Sequence, residues 1–176
     1  YSDFGCKTLV DTLTTNESGT ATSKGLVAGT YYVKEITAPK GYVLSDEVHT
    51  LTISAGQTTT FTVKDTEQLG RINIFKAGEV LTRWNGSNFV YETVNLQGAS
   101  FKVTAGADIY QADGTKVFSK GDVIAEKLTT GADGKVVLSD LHLGTYVVTE
   151  VEGILGYTIN TEPHEVEIAY VDQSVS

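Results

Sequence analysis

Residues 29–35 read Gly29-Thr30-Tyr31-Tyr32-Val33-Lys34-Glu35, and residues 144–150 read Gly144-Thr145-Tyr146-Val147-Val148-Thr149-Glu150. In both runs every second residue is apolar until the face reaches a Glu. That period of two is the signature of a strand with one buried face. The match extends well beyond these runs. Residues 13–53 align without a gap on residues 128–168 at a constant offset of 150 − 35 = 115. Leu13 matches Leu128, Gly19 matches Gly134, Leu26 matches Leu141, Gly41-Tyr42 matches Gly156-Tyr157 and His49 matches His164. A repeat of this length is one structural unit used twice. The sequence therefore predicts two homologous domains, residues 1–69 and 70–176, joined near Gln68-Leu69-Gly70-Arg71. So short a junction predicts a stiff rod of modules rather than a flexible tether.

Outside the repeat the texture is the same. Thr60-Phe61-Thr62-Val63-Lys64-Asp65 and Arg71-Ile72-Asn73-Ile74-Phe75-Lys76 also alternate, and Gly, Asn, Asp and Ser punctuate the runs. Thr is abundant and suits pleated surfaces. No stretch has a helical period. The expected fold class is all-β: two tandem Ig-like β-sandwich domains. Asn85-Gly86 near the middle of residues 79–91 predicts a hairpin arm with a type I′ turn, inserted between core strands.

Composition narrows the function. The 176 residues carry 13 Lys and Arg against 22 Asp and Glu, a formal charge of −9, so no general basic surface exists for nucleic acid or anionic membrane. No run approaches the ~20 apolar residues of a membrane-spanning helix. The lone Cys6 cannot form an intramolecular disulfide, and His49, His142 and His164 do not cluster in sequence, so no metal and no cofactor is assigned. The absence of Met reads as a piece of a longer protein. Ala112-Asp113-Gly114 and Ala132-Asp133-Gly134 lack the further ligands of a calcium loop and read as turns. Asn16-Glu17-Ser18 and Asn85-Gly86-Ser87 are sequons by pattern alone.

The feature that stands out is ionisable residues on apolar faces. Glu35 and Glu150 follow Tyr-x-Val, Asp65 follows Phe61 and Val63, and Lys76 follows Ile72 and Ile74. An unpaired buried charge costs several kcal/mol. Frayed strand ends in water, a buried ion-pair network and a covalent crosslink all fit this pattern. In the crosslink, an amine in an apolar site loses its proton and becomes a nucleophile. A protonated carboxyl beside it activates the acceptor.

The run Gly29-Thr30-Tyr31-Tyr32-Val33-Lys34-Glu35-Ile36-Thr37-Ala38-Pro39-Lys40-Gly41-Tyr42 resembles the signature of Cna B-type, or SpaA-like prealbumin-like, domains. These occur in pilins and cell-wall-anchored adhesins of Gram-positive bacteria. Leu96-Gln97-Gly98-Ala99-Ser100-Phe101-Lys102-Val103 is similar to the family's second strand, and Leu128-Thr129-Thr130 through Gly134-Lys135 to its central turn. The resemblance implies autocatalytic Lys–Asp or Lys–Asn isopeptide bonds. Glu35 and Glu150 match the promoting Glu, Lys76 the first-strand Lys of domain 2, and Asp65 the last-strand acceptor of domain 1. It also implies that each domain lacks a terminal strand here: the Lys partner of Asp65 precedes Tyr1, and the acceptor for Lys76 follows Ser176. Asp172, the only late Asp, is not assigned that role. On this expectation the 176 residues alone close neither bond. Domain 2 departs from the pattern where Val151-Glu152-Gly153-Ile154-Leu155 replaces the Ala-Pro loop.

The resemblance implies a structural stalk or spacer, extracellular and anchored to the cell wall through segments outside this sequence. Its partners would be neighbouring surface-protein domains or pilin subunits, and open sheet edges would invite strand complementation by another chain. The competing reading is an adhesin module that binds a host protein or glycan through Trp84, Phe89 and Tyr91 of the hairpin. An enzyme acting on external substrates has no nucleophile–base constellation to support it.

Overall fold

The computed structural model describes residues 1–174. It is built of strands and turns, with no helix among the described residues. The chain divides into two compact units, Tyr1–Thr66 and Glu67–Ser176. The division falls three residues before the predicted one. Glu67 belongs with the second unit because its carboxylate accepts a hydrogen bond from Ala112 N and lies 2.9 Å from His142 Nδ1.

In the first unit β1 (Gly29–Lys34) pairs antiparallel with β3 (Val48–Ile53), and β2 (Tyr42–Val43) is a two-residue strand; β4 (Thr66–Glu67), also two residues, straddles the division. Tyr1 adds a short bridge to β1: its amine donates to Tyr32 O and its carbonyl accepts from Tyr32 N. Among the described residues of this unit, Ala38 is the one buried apolar side chain. Phe4, Leu9, Val27 and Ile36 are exposed.

The alternating run Thr60 to Asp65 forms no strand, contrary to its pattern. Alternation produces a strand only when a neighbour supplies the other half of the hydrogen-bond ladder. Here Phe61 and Val63 stay exposed, and Asp65 is half-buried outside any sheet.

The second unit is a sandwich. One sheet has the order β11 (Val123–Thr129), β8 (Ser100–Ala105), β13 (Gly144–Glu152), β14 (His164–Ile168), all antiparallel. Facing it, β5 (Gly70–Phe75) pairs with β12 (Lys135–Leu141). Ile72 and Ile74 from β5 and Leu141 from β12 meet Phe101, Val103, Ala105, Tyr146 and Val148 in one buried cluster. Burial of this apolar surface is the main favourable term in holding the unit together. A short ribbon of β9 (Ile109–Tyr110) and β10 (Lys116–Phe118) closes one end, with Ile109 buried beneath it.

The hairpin is longer than its sequence limits. It comprises β6 (Ala77–Trp84) and β7 (Phe89–Asn95). Its tip is not the predicted type I′ turn. Gly86 has φ 98°, but Asn85 has no positive φ. Instead the Asn85 side chain accepts hydrogen bonds from Ser87 N and Asn88 N, and Asn85 N donates to Asn88 O. An Asn that bonds its own turn in this way organises a four-residue loop without a left-handed backbone of its own.

The internal repeat is also a repeat of register. In the first unit Gly29 pairs with Ile53, Tyr31 with Leu51 and Val33 with His49. In the second, Gly144 pairs with Ile168, Tyr146 with Val166 and Val148 with His164. A slip of one residue would turn each apolar face outward, so the alternation fixes the same pairing twice.

Candidate functional site

The buried face of β13 runs Tyr146, Val148, Glu150, all three buried. Glu150 stands opposite Phe101 of β8, so its carboxyl is carried into the sandwich. Lys76 follows β5 directly. Its backbone is clamped on both sides: its N–H donates to Gly134 O at 2.8 Å, and its carbonyl accepts from Leu96 N at 2.9 Å. Gly134 is required there. It has φ 70°, and a Cβ at that position would lie 2.6 Å from Lys76 O.

These placements bring Lys76 Nζ to 2.8 Å from Glu150 Oε2. The side chains are 18 % and 3 % exposed, so most of the pair is out of water. The same Oε2 accepts a second hydrogen bond from Asn160 N at 2.9 Å. Glu150 Oε1 is buried with no hydrogen-bond partner, the one such side-chain atom among the described residues. A buried carboxyl oxygen without a partner is costly. Chemically, the site holds an amine against a carboxyl in an apolar wall, with one carboxyl oxygen unused.

Two residues along, Glu152 contrasts with this arrangement. Its carboxylate is held below the usual range by a hydrogen bond from Lys127 and then by one from Ser100. Its side chain is half-exposed, and its ion pair with Lys127 lies at 2.6 Å.

In the first unit Glu35 is half-buried, and its Oε2 accepts from Ser45 N at 3.0 Å. Among the described residues no cation forms an ion pair with Glu35, and its neighbour Lys34 pairs instead with Asp46. No hydrogen bond or ion pair joins Asp65 to Glu35. The structure therefore pairs Lys76 with Glu150, whereas Glu35 has no cation partner among the described residues. Asp172 stands apart from Lys76. Its carbonyl accepts from Gln68 Nε2, eight residues before Lys76 along an extended segment (76 − 68 = 8), roughly 26 Å at strand rise.

The backbone donors at Ser45 and Asn160 escape sequence reasoning, because every residue but proline carries an N–H. The repeat offset is the one signal that could have marked them, since 45 + 115 = 160.

The remaining motifs fold into turns. Asp113 and Asp133 accept from the backbone two residues on, at Thr115 and Lys135, and Asn16 accepts from Ser18 and Thr20. Among the described residues no group of three or more His, Cys, Asp or Glu side chains comes together. Cys6 is a half-buried free thiol with φ 51°.

Two tandem all-β modules with the same strand register define a class of repeated prealbumin-like domains. The chain belongs to the SpaA family of prealbumin-like fold domains, whose model matches residues 3–67 and 91–176. Over 44 residues it is 46 % identical to the trypsin-resistant surface T6 protein of Streptococcus pyogenes serotype M6, covering 25 % of this chain and 8 % of that protein. Among solved structures, the Bacillus anthracis TIE protein is similar with a TM-score of 0.56 and 27 % identity, over 90 % of this chain and 26 % of that one. The minor pilin GBS52 of Streptococcus agalactiae gives a TM-score of 0.39 at 23 % identity, over 90 % of this chain and 62 % of that one. The chain thus spans under a tenth of the curated relative and about a quarter of the TIE protein.

Proposed function

We propose that this chain is a structural module of a Gram-positive cell-surface protein or pilin. It spaces other domains from the cell wall, and in its parent it is stiffened by autocatalytic isopeptide bonds. The observation that carries the reading is the buried Lys76–Glu150 pair with its unused Oε1. Membership of the SpaA family and likeness to a streptococcal surface protein support the setting. The partners are then neighbouring surface domains or pilin subunits, and the location is extracellular.

The chemistry is a single condensation. Glu150 takes a proton from the Lys76 ammonium, and the freed amine attacks the side-chain carbon of an Asp or Asn carried by a segment beyond Asp172. A bond forms between Nζ and that carbon. The C–O bond of an Asp breaks and releases water, or the C–N bond of an Asn breaks and releases ammonia. Glu150 returns the proton to the leaving group, and the attacking nitrogen gives up its second proton, which completes the water from an Asp carboxylate or leaves with ammonia as ammonium. The pocket supplies proximity and desolvation, and the reaction runs once per molecule. In the first unit Glu35 plays the same part for Asp65 and a Lys from a preceding segment. No substrate is turned over.

The intact mass of the full-length protein tests this. The expected result is a deficit of one water or ammonia per domain, with a branched peptide at Lys76, and Glu150→Ala abolishes the second unit's share of that deficit. A full sequence mass with an unmodified Lys76 peptide would overturn the reading.

A second reading has its own support. Trp84, Phe89, Tyr91 and Leu81 are each more than half exposed, and they form two directly opposed pairs, Trp84 with Phe89 and Leu81 with Tyr91. Aromatic side chains displayed on an arm suit an adhesin contact with a host protein or glycan. Screening against host matrix proteins and glycans, with Trp84→Ala as the control, tests it. Binding that survives Trp84→Ala would remove the hairpin from the contact.

A further inference from the structure

Glu150 divides its two carboxyl oxygens between different surroundings. Oε2 receives both Lys76 Nζ and Asn160 N, at 2.8 and 2.9 Å, while Oε1 receives nothing. The terminal torsion of a Glu is broad and roughly two-fold, so the amine alone would not fix which oxygen is which. A backbone N–H on one oxygen does fix it. Moreover, the amine must leave Oε2 to attack an acceptor, whereas the N–H stays.

The first unit repeats the arrangement. Ser45 N donates to Glu35 Oε2 across the same ten residues that separate Asn160 from Glu150. The local support repeats as well. Asn160 Oδ1 accepts from Glu162 N, and Ser45 Oγ accepts from Glu47 N, each two residues on. Both side chains therefore brace the backbone two residues on, with an amide in one unit and a hydroxyl in the other. The brace leaves the backbone N–H of its own residue directed at the carboxyl. Two sequences that differ at this position converge on one hydrogen bond, which singles out the N–H as the common functional group.

We infer that the backbone N–H of residue 160, like that of residue 45 in the first unit, is a positioning group for crosslink formation. It pins one carboxyl oxygen of the Glu ten residues upstream and reserves the other for the acceptor carbonyl. The inference rests on the isopeptide reading above. It adds that the loop after the Glu strand sets the rate, and that its side chain matters only as a turn brace.

The test uses full-length protein made by cell-free synthesis, with crosslinking followed by intact mass against time after synthesis at several pH values. Asn160→Pro removes the N–H and is expected to slow mass loss about ten- to hundred-fold. Asn160→Ser keeps both the N–H and a turn brace, and restores the rate to within about three-fold. The Pro variant should also show a changed pH–rate profile, which a purely structural defect would not produce. A folded Asn160→Pro variant crosslinking at the parent rate with the parent pH profile overturns the inference while leaving the isopeptide reading intact. Absence of mass loss in the parent overturns both.

Amide hydrogen exchange supplies an independent measurement should Asn160→Pro fail to fold. In the uncrosslinked Lys76→Ala background, adding Glu150→Ala should speed exchange at residue 160 at least ten-fold relative to its sequence neighbours. Equal protection in the two backgrounds would show that Glu150 does not hold this N–H, and the inference would fall.

Discussion

Lys76 and Glu150 are 74 residues apart in sequence, yet their Nζ and Oε2 atoms lie 2.8 Å apart at the edge of the core. The contact ties the end of β5 to the end of β13, one strand from each layer of the sandwich. It forms because both side chains continue an apolar face, after Ile72 and Ile74 on one strand and after Tyr146 and Val148 on the other. A charge placed in that wall is tolerated only with a partner.

Removing one member should therefore cost far more than removing both. In the uncrosslinked 176-residue chain, Lys76→Met leaves Glu150 buried with its amine partner gone, and should destabilise the second unit by about 3–5 kcal/mol. The double variant Lys76→Met with Glu150→Leu should recover most of that loss. Urea unfolding of the single and double variants measures the coupling. Equal losses in both would mean that the pair is not energetically buried.

Gly134→Ala should act on the same site through the backbone. Its φ of 70° and the approach of Lys76 O leave no room for a methyl group. A strained left-handed residue costs about 1–3 kcal/mol, before the clash is counted. The Lys76 backbone should be displaced with it. Thermal unfolding reads the first effect, and an altered environment for the Lys76 amide in nuclear magnetic resonance reads the second.

Tyr146 makes the second unit sensitive to alkali. Burial pushes its phenol up to about 12, and its hydroxyl donates to His142 O at 2.7 Å. The unfolded phenol ionises near 10. Folding thus favours the protonated form, so its contribution is fully present below pH 10 and is lost as pH rises toward 12. Stability should fall across that window by a few kcal/mol, at 1.36 kcal/mol for each unit of difference. Tyr146→Phe should flatten the fall, at the cost of about 1 kcal/mol for the lost hydrogen bond at neutral pH. A slope that persists in Tyr146→Phe would assign it to another group.

The hairpin aromatics should contribute little to stability. Trp84 and Phe89 meet edge-to-face at 5.0 Å but remain exposed. Trp84→Ser and Phe89→Ser should each change the unfolding free energy by about 0.5 kcal/mol or less. A larger loss would mean that these rings are covered in solution.

Much of the fold was legible because the side-chain period of a strand is two and the repeat displays that period twice. The Tyr146, Val148, Glu150 face follows from alternation, and the shared register follows from the constant offset of the two halves. Thr60 to Asp65 alternates equally well and forms no strand, because alternation encodes a face and not the neighbour that completes a ladder. Asn85-Gly86 marked a turn, but its type depended on the Asn85 side chain bonding to Ser87 and Asn88. The division between units moved to Glu67 because a carboxylate there finds Ala112 and His142, partners far along the chain.

By itself the sequence determined that there are two units, that they are all-β and that an acidic residue ends the same apolar face in each. These properties are local and periodic, so they are written in residue spacing. Only the tertiary structure decided that Lys76 meets Glu150 while Glu35 finds no cation among the described residues. It also decided that a backbone N–H occupies one oxygen of each Glu and that the hairpin aromatics face outward. Those outcomes depend on which distant segments come within hydrogen-bonding range, and a backbone donor leaves no mark in a sequence of side chains.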